Sequence, residues 1–549
     1  MKKLFFVATA LLCGAISANA VDYLVQTGSG GSDVKWSQEA INALLTDNAN
    51  LKVISFDTAG VAKLPKTGEI WFAAGTYTFS ATYNFGNDAK LYGGFAGTET
   101  ILNERVLVSV DKPYEFKNAT IFDGGKSVKL LTDSKTGMVL NGLTVQNSKG
   151  VRGVSAAGVC RLAPGATVKA CQFLNCSHDT IVGTDEKIKA GQGGVFNLWI
   201  SSQSTAAVTT IENCYFEGNS TTYQGGAIYI NYPANATTEV RHCVFVGNTA
   251  ETTGAAIHGQ GASPYYIDGC VFYNNVCKSG ETLKAGGVLY DNGSNISNIT
   301  NCLAYNNTGL NVFYLKLGKF ANNTIVKNIG QTYVATGNAS SEISNNVIWG
   351  NTNASGVATS LWGNSSNNAT KNVICKNNFH LQSVSSLTTT LGWTVTDNVL
   401  FNTNTVNETK TETVDEKDTT YVGPYFVKPT SFVGAIAADA TDKESKLEEL
   451  EAADWSLQAK SMLINAGTDL TYVTTDILGT AREAGKYDVG AYAYVDKGPG
   501  TAFENTEKAP LDIQAALQVG EVFNILGQRV GDLQAGNIYI VGGQKVLMR

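Results

Sequence analysis

The chain has 549 residues, of which 43% are hydrophobic, 16% charged and 9% aromatic, so a wholly disordered protein is excluded. With 57 Gly against 9 Pro and few segments of helical period, the composition favours a long β-structure with many tight turns. The net charge of −7 argues against a nucleic-acid partner, because neutralising phosphates requires a basic surface.

The N-terminus has the pattern of an export signal. Lys2 and Lys3 form a basic start, Leu4–Ile16 an apolar core and Ala18–Ala20 a cleavage site. The apolar run is too short to span a bilayer, and no other stretch reaches the roughly 18 apolar residues that a span needs. Residues 1–20 are therefore predicted to be a signal peptide, and the mature chain to be exported to the cell surface or the extracellular space without a membrane span.

Residues 21–125 are predicted to contain an N-terminal cap and the first coils of the fold. An open stack of strands exposes edges that aggregate, so a cap is expected here. The segment Lys35–Leu45 follows Ser32 and Asp33, which suit a helix N-cap. Its apolar residues fall at helical spacing, namely Trp36, Ile41, Leu44 and Leu45. They predict a short amphipathic helix that covers the first coil.

An internal repeat determines the architecture of residues 126–380. A Cys-x-Phe-x-x-Asn element and its variants begin at Cys171, Cys214, Cys243, Cys270 and Cys302, and degenerate copies follow to Asn351. A second element, a pair of small residues followed by an apolar pair, repeats in register at Gly193, Gly225, Gly254 and Gly286. Two short strands per 20–32 residues, separated by Gly and Asn, fit one turn of a parallel β-helix.

Stacking of the coils predicts columns of identical residues. Equivalent positions of neighbouring coils lie roughly 4.8 Å apart, so the Cys and Phe side chains are expected to point inward. The predicted columns are Cys214, Cys243, Cys270 and Cys302 inside, and Asn219, Asn248, Asn275 and Asn307 at a corner. Asn tolerates left-handed backbone there, and its amide can bond the next Asn. The thiols are expected to behave as buried small apolar groups, and whether any of them pair is left open.

The densest group of ionisable side chains lies between Cys176 and Gly193. This insertion is expected to project from the coil as a polar loop, and such loops can carry function. It contains His178, Asp179, Asp185, Glu186, Lys187 and Lys189. The repeated coils carry few carboxylates, which argues against the paired acids of a glycosidase and against the calcium site of a lyase.

No metal site or cofactor is predicted, and calcium enters only under the lyase alternative. His242 and His258 occupy coil positions, and no zinc-ligand spacing is present.

Four tyrosines form the candidate binding site. Tyr223, Tyr232, Tyr265 and Tyr266 lie beside the turns of consecutive coils. Stacking is expected to align them in a ridge that packs against sugar faces or a protein partner. The alternative is that they only cover the edges of the coils.

The C-terminal third is predicted to close the solenoid. Residues 381–494 are assigned to the last coils and a cap, in which Asp442–Ala453 is a charged helix that serves as a solvated flank or an acidic binding patch. Residues 495–510 are a linker. Residues 511–549 are a small antiparallel β tail with a hairpin at Gly542–Gly543.

Three resemblances accompany these patterns. The Gly-Gly-Ala-Ile and Phe-x-x-Asn elements of residues 171–290 resemble the repeats of chlamydial polymorphic membrane proteins, which are β-helical adhesins. The segments Leu91–Thr100 and Asp488–Tyr492 look like those of bacterial surface β-helix proteins described as choice-of-anchor proteins. The Gly527–Val530 and Ala535–Val541 segments resemble a shortened C-terminal sorting domain of type IX secretion substrates from Bacteroidetes.

The sequence thus predicts an all-β, single-stranded right-handed parallel β-helix with an N-terminal helical cap and a small antiparallel tail. The predicted function is that of a secreted or surface adhesin or glycan-binding module without catalysis. Its partner is expected to be a glycan or a surface protein, and the chain to be monomeric. The alternatives are a polysaccharide lyase or glycoside hydrolase of the pectate-lyase-like class and, third, a structural spacer.

Overall fold

A computed structural model gives the structure of the protein over most of its length. It describes residues 21–27, 34–57, 60–134, 137–151, 156–179, 191–202, 205–278, 286–293, 297–316, 318–334, 341–359, 361–363, 373–380, 386–400, 409–414, 417–422, 424–437, 439–459, 461–496, 522–524, 538–541 and 544–547. The predicted signal peptide lies outside these residues.

The described residues up to Tyr494 form one compact unit built on a parallel β-helix. Each coil contributes one strand to sheet A, turns a corner into sheet B, turns again into sheet C and returns through a loop to sheet A. Neighbouring coils pair in parallel, as where Tyr215 pairs with Val244 and Val244 with Val271. The predicted fold class is confirmed.

The strands of each sheet follow the coils in order. Sheet A consists of Lys52–Phe56, Tyr23–Thr27, Glu69–Ala73, Lys90–Phe95, Val139–Asn141, Thr167–Lys169, Ala207–Glu212, Ala236–Arg241, Tyr265–Asp268, Ser297–Thr300, Gly318–Ala321, Glu342–Ser344, Ile374–Lys376 and Thr394–Thr396. Sheet B consists of Gly75–Thr78, Thr120–Asp123, Leu143–Gln146, Gln172–Leu174, Tyr215–Glu217, Val244–Val246, Val271–Tyr273, Leu303–Tyr305, Thr324–Val326, Val347–Trp349, Phe379–His380 and Val399–Leu400.

Sheet C has two halves that the long strand Thr308–Leu315 joins. One half consists of Lys149–Val151, Ser177–Asp179, Ser220–Thr221, Thr249–Ala250 and Val276–Cys277, and the other of Cys160–Leu162, Phe196–Trp199, Ile228–Asn231, Ile257–Gly259 and Leu289–Asp291. Beyond the joining strand lie Ile329–Val334 and Leu361–Gly363.

The remaining elements are short. They are the α-helices Gln38–Asp47 and Lys443–Glu451, the 3₁₀ turns Val61–Lys63 and Leu102–Glu104, the π turn Ser386–Thr390, and the antiparallel pairs Thr409–Val414 with Lys417–Val422 and Phe426–Lys428 with Asp454–Leu457.

The interior of the solenoid is filled by side chains that alternate with outward ones along each strand. Phe216, Phe245 and Phe272 are fully buried, and the ring of Phe245 stacks on the two others at 4.8 and 5.0 Å. This column follows from the period of two in a strand together with the in-register repeat. The sequence pattern therefore fixes both the inward face and the order of the coils.

The N-terminal helix is capped by Ser37, whose side chain accepts a hydrogen bond from the N–H of Ala40 at 3.1 Å. The expected caps Ser32 and Asp33 lie outside the described residues. The buried Leu44 packs with Trp36, Trp71 and Phe95, the cluster on the outer face of sheet A. The N-terminal helix therefore packs against the outer face of the first strands of sheet A.

The turn after the edge strand of sheet A adds apolar residues to the interior. Phe56 ends this strand, and Val61 and Leu64 follow it. All three are buried in the interior cluster. This turn carries no helical period that could have indicated its burial in the sequence.

Residues 424–494 form a cover along the outside of sheet B. Trp455 and Leu463 pack with outward side chains of that sheet, among them Tyr305 and Trp349. The buried guanidinium of Arg482 donates to the carbonyl of Gly490 at 2.8 Å and to Asn301 Oδ1 at 3.2 Å. The segment 381–494, assigned to the last coils and a cap, thus contains the coil strands Thr394–Thr396 and Val399–Leu400 as well as this lateral cover.

Residues from Val495 onward form a second unit. Its described strands Val522–Asn524, Ile538–Val541 and Gln544–Leu547 make an antiparallel sheet, as the sequence predicts. The Gly542–Gly543 turn itself and most of the predicted linker lie outside the described residues.

Candidate functional site

The Asn column at the second corner is a continuous hydrogen-bonded ladder. Asn248 Oδ1 accepts from both the backbone N–H and the Nδ2 of Asn219, at 3.0 and 2.9 Å. Asn248 Nδ2 donates to Phe216 O at 2.9 Å and to Asn275 Oδ1 at 3.0 Å. The same pattern continues through Asn307, Asn328 and Asn351. Each buried amide is therefore saturated, which gives the ladder a structural role.

The left-handed backbone was expected at the ladder asparagines, but it falls one residue earlier. Gly247 has a φ of +60° and Asn274 a φ of +57°. The ladder residues instead place their side chains inward, where the amide replaces the backbone pairing that the corner interrupts. The residue before each ladder position makes the turn, so Gly or Asn is found at most of these positions, and Lys327 adopts the same positive φ before Asn328.

The cysteine column lines the first corner from the inside. Cys214, Cys243, Cys270 and Cys302 are fully buried and carry free thiols. Each Sγ lies 3.2–3.5 Å from the carbonyl two residues earlier. From Asn323 onward an asparagine takes the place of the cysteine, and Asn323 Oδ1 accepts the N–H of Cys302 at 2.9 Å. The thiols thus act as small buried groups of the corner.

The four candidate tyrosines do not form a ridge. Tyr232 and Tyr265 belong to the interior cluster and are almost fully buried. The hydroxyl of Tyr232 donates to Leu162 O at 2.8 Å, and that of Tyr265 donates to the buried carboxylate of Asp291. Tyr223 and Tyr266 are partly exposed, but Tyr266 lies on a strand of sheet A and Tyr223 in a loop beside sheet C. Period-two alternation places Tyr265 inward and Tyr266 outward, a distinction that proximity to a turn does not reveal.

The charged insertion is described only at its start. His178 is buried, and its Nδ1 lies 2.9 Å from both the N and the O of Gln192. Asp179 pairs with Lys149 at 3.1 Å. The remaining candidates, Asp185, Glu186, Lys187 and Lys189, lie outside the described residues.

The outer face of sheet C carries a second column, which consists of aromatic rings. Tyr229, His258, Tyr290, Tyr314 and Tyr333 occupy successive coils in register. Their ring centroids are 5.1, 4.9, 4.4 and 5.3 Å apart, with interplanar angles of 18–23°. Each ring therefore faces its neighbours, and only ring edges and hydroxyl groups point away from the sheet.

His258 is part of this column and is almost fully buried. Burial lowers the pKa of His258 to about 3, so the imidazole is neutral at physiological pH. Its Nδ1 lies 2.7 Å from Thr253 Oγ1 and its Nε2 3.3 Å from Gln260 Oε1. The prediction that His258 is a coil position agrees with these contacts.

An exposed aromatic side chain lies beside this column. It is Trp199, two residues after Asn197, which pairs with Tyr229 of the column. Trp199 is 41% exposed, and the Arg161 guanidinium lies 5.4 Å from the centre of its ring. Trp199 pairs with Asn231, whose Nδ2 donates to the hydroxyl of Tyr229 at 3.4 Å. Asn197, Trp199, Tyr229 and Asn231 alternate with inward residues, so they share the outer face.

We call Arg161, Asn197, Trp199, Tyr229 and Asn231 the tryptophan platform. Its central amide is incompletely satisfied. Asn197 Nδ2 donates to Ala156 O at 3.0 Å, but among the described residues Asn197 Oδ1 is buried with no hydrogen-bond partner. A buried acceptor without a partner costs free energy, and a ligand or water hydroxyl can remove that cost. The platform therefore combines an open indole face with amide and hydroxyl groups.

The aromatic column beside the platform could have been found in the sequence. Each repeated Gly-rich element ends in an apolar residue that points inward, so the next residue must point outward. That next residue is Tyr229, His258 or Tyr290 in three consecutive coils. The aligned signal was an aromatic residue directly after the repeat, not a tyrosine beside a turn.

The carboxylates of the repeated coils are held in pairs on the outer face of sheet A. Lys169 lies 2.7 Å from Glu212, and Arg241 lies 3.1 Å from Glu239. Asp268 accepts from Thr300 Oγ1 at 2.5 Å. Within the described ranges, no three metal-ligating side chains come together, and no helix is long and apolar enough to cross a membrane.

A family model and a solved structure are among the known proteins to which the chain is similar. The family described as "right handed beta helix region" matches residues 105–272, from just before the strand Thr120–Asp123 to the strand Val271–Tyr273. The crystal structure of the pectate lyase Pel9A is similar over 86% of this chain and 96% of that chain, with 12% identity and a TM-score of 0.42. No curated protein matches the chain. The stacked parallel sheets and the family match define a right-handed parallel β-helix protein.

Proposed function

We propose that this β-helix is an exported bacterial surface protein that binds glycans through the tryptophan platform and does not cleave them. The observation that carries the proposal is the exposed indole of Trp199, beside which the buried Oδ1 of Asn197 has no hydrogen-bond partner among the described residues. Sugar rings present an apolar face of C–H groups and a rim of hydroxyls. An aromatic face next to amide groups matches both of these surfaces.

The stacked column beside the platform offers no ring faces to a ligand. Its rings from Tyr229 to Tyr333 pack face to face, and Tyr229, His258 and Tyr290 are buried. Trp199 lies outside this stack and keeps one ring side away from Arg161. The indole therefore supplies the stacking surface, and the partly exposed amide of Asn231 beside it supplies hydrogen bonds.

Export and surface attachment complete the proposal. The signal-like residues 1–20 and the resemblance of residues 511–549 to a type IX sorting domain support a route to the surface of a Bacteroidetes cell. Deleting residues 511–549 from the natural host's gene is expected to leave the protein in the periplasm, as cell fractionation would measure. Unchanged surface display after this deletion would overturn the sorting role.

The central experiment combines binding and turnover on residues 21–549. A glycan array identifies ligands, and calorimetry then compares the wild type with Trp199→Ala and with Val208→Ala. Val208 is 49% exposed on the strand Ala207–Glu212 of sheet A and is not part of the tryptophan platform, so it is a control for loss of exposed apolar surface. Loss of a sugar-stacking ring is expected to weaken binding at least tenfold in Trp199→Ala, and less than twofold in Val208→Ala.

The same ligands are then incubated with the protein, with and without calcium, and assayed for new reducing ends and for unsaturated products. No turnover together with the Trp199 effect supports the proposal. Equal affinity of the two variants overturns the platform as the binding site. Release of oligosaccharides shows instead the lyase or hydrolase alternative.

A further inference from the structure

Two chain segments cover the outer face of sheet B from opposite ends. On the N-terminal side, the Tyr114 ring stacks on Tyr215 at 4.9 Å, and Gln172 Nε2 donates to Tyr114 O at 3.1 Å. On the C-terminal side, the cover of residues 424–494 begins over Tyr305, whose hydroxyl donates to Leu450 O at 3.2 Å. Tyr215 and Tyr273 lie between these two flanks and remain partly exposed, whereas the outward Val244, Val246 and Val271 beside them are buried.

Carboxylates surround these aromatic rings. Burial, and after it neighbouring groups that include Glu217, raises the pKa of Tyr114, Tyr215 and Tyr273. Glu217 thus lies within electrostatic range of all three phenols, and it is exposed on the same face. We call Tyr114, Tyr215, Glu217, Tyr273 and Glu451 the acidic tyrosine surface.

The helix Lys443–Glu451 strengthens the negative potential of this surface. The C-terminal end of a helix is favourable for cations and unfavourable for carboxylates. Its last turn nevertheless carries Glu448, Glu449 and Glu451 and has no basic residue. Among the described residues, neither Glu217 nor Glu451 forms an ion pair, whereas the nearby Glu115 pairs with Lys112 at 3.2 Å. Uncompensated acidic residues at the negative end of a helix point to a cation supplied from outside.

We propose that the acidic tyrosine surface binds a lysine- or arginine-rich segment of a partner protein. Aromatic rings attract cations through their negative faces, and carboxylates beside them add direct charge attraction. Tyr215 and Tyr273 supply the apolar contact for the methylene stems of basic side chains. This surface is on a different sheet from the tryptophan platform, so the inference is independent of glycan binding.

Calorimetry on residues 21–549 with synthetic peptides tests the inference. The probe is a peptide of alternating Lys and Gly, compared with a Glu-Gly and a Ser-Gly peptide of equal length. The double variant Glu217→Gln and Glu451→Gln removes two uncompensated charges while keeping side-chain shape. The control, Glu39→Gln with Glu483→Gln, removes two exposed carboxylates elsewhere on the chain and so changes the net charge equally.

The Lys-Gly peptide is expected to bind the wild type and to lose at least tenfold in affinity in the double variant, but less than twofold in the control. A further variant, Tyr273→Leu, is expected to weaken binding severalfold, because it removes an aromatic face and leaves the charges in place. Equal losses in the double variant and the control would show diffuse attraction and overturn the site. Binding of the Glu-Gly peptide, or no binding of the Lys-Gly peptide at millimolar concentration, would also overturn it.

Discussion

Removing one amide from the asparagine ladder tests how far buried polar groups hold the coils together. In Asn248→Ala, the backbone N–H of Asn219 loses its acceptor, Asn248 Oδ1 at 3.0 Å. Phe216 O and Asn275 Oδ1 each lose a donor, at 2.9 and 3.0 Å. Asn219 Nδ2 keeps its bond to Phe173 O at 2.9 Å.

The expected cost follows from which groups are left without a partner. One buried N–H with no acceptor costs about 1–3 kcal/mol, and each of the lost bonds contributes about 0.5–1.5 kcal/mol. Because the groups share one network, these effects are not fully additive. We expect Asn248→Ala to lower the free energy of unfolding by about 2–4 kcal/mol.

Two measurements resolve the effect, because stacked coils need not unfold in a single step. Urea unfolding gives the overall change, and hydrogen exchange compares peptides around Asn219 with peptides of the strand Tyr23–Thr27. The control is Asn42→Ala, which removes an exposed hydrogen bond from Gln38 at 2.9 Å. Exchange is expected to accelerate around Asn219 and to stay unchanged in the remote strand. A cost for Asn248→Ala no larger than that for Asn42→Ala would refute the role of the ladder.

The remaining predictions concern a corner and a buried charge. Gly269→Ala is expected to lower the free energy of unfolding in urea more than Gly165→Ala does. Both sites have positive φ, but a Cβ at Gly269 would meet His242 Nδ1 at 2.5 Å, whereas one at Gly165 meets nothing within 4 Å. Equal losses in the two variants would disprove the clash. Lys327→Met is expected to raise the urea midpoint at neutral pH, because within the described residues the buried Lys327 Nζ has no hydrogen-bond partner. Burial lowers the pKa of Lys327 from 10.5 to about 8, so the unfolded chain binds more protons between these values and wild-type stability should rise with pH in this window. A variant that keeps this rise would rule out Lys327 as its source.

The sequence predicted the solenoid because the repeat acts over the distance of one coil. The spacing from Cys214 to Cys243 places equivalent residues in register, and period-two alternation then orients every inward column. The ladder asparagines were predicted for the same reason. Their left-handed neighbours, such as Gly247, were not, because a repeated Gly-Asn pair does not indicate which of its two residues makes the turn.

Features that depend on contacts between distant segments were missed. Val244 and Val246 point outward and alternate with inward residues, as in any strand that is apolar on both faces. Nothing in their own repeat indicates which segment covers them. The cover arrives from residues 424–494, more than 150 positions later, where its apolar residues have no period matching the coils. The N-terminal helix was predicted from its amphipathic pattern, but that pattern specifies a buried face and not the surface that buries it.

The charged and hydrogen-bonding groups that lack a partner on the three faces decide where binding is expected. Inside the solenoid, the amides of the ladder are fully bonded, so the core has no polar group to offer at that corner. On sheet A, the charges near Arg241 neutralise one another in pairs. Among the described residues, Glu217 on sheet B forms no ion pair, and Asn197 Oδ1 on sheet C has no hydrogen-bond donor beside the exposed Trp199. An unpaired carboxylate attracts cations, and an unpaired acceptor beside an aromatic face favours hydroxylated ligands. The two outer faces are therefore suited to different partners.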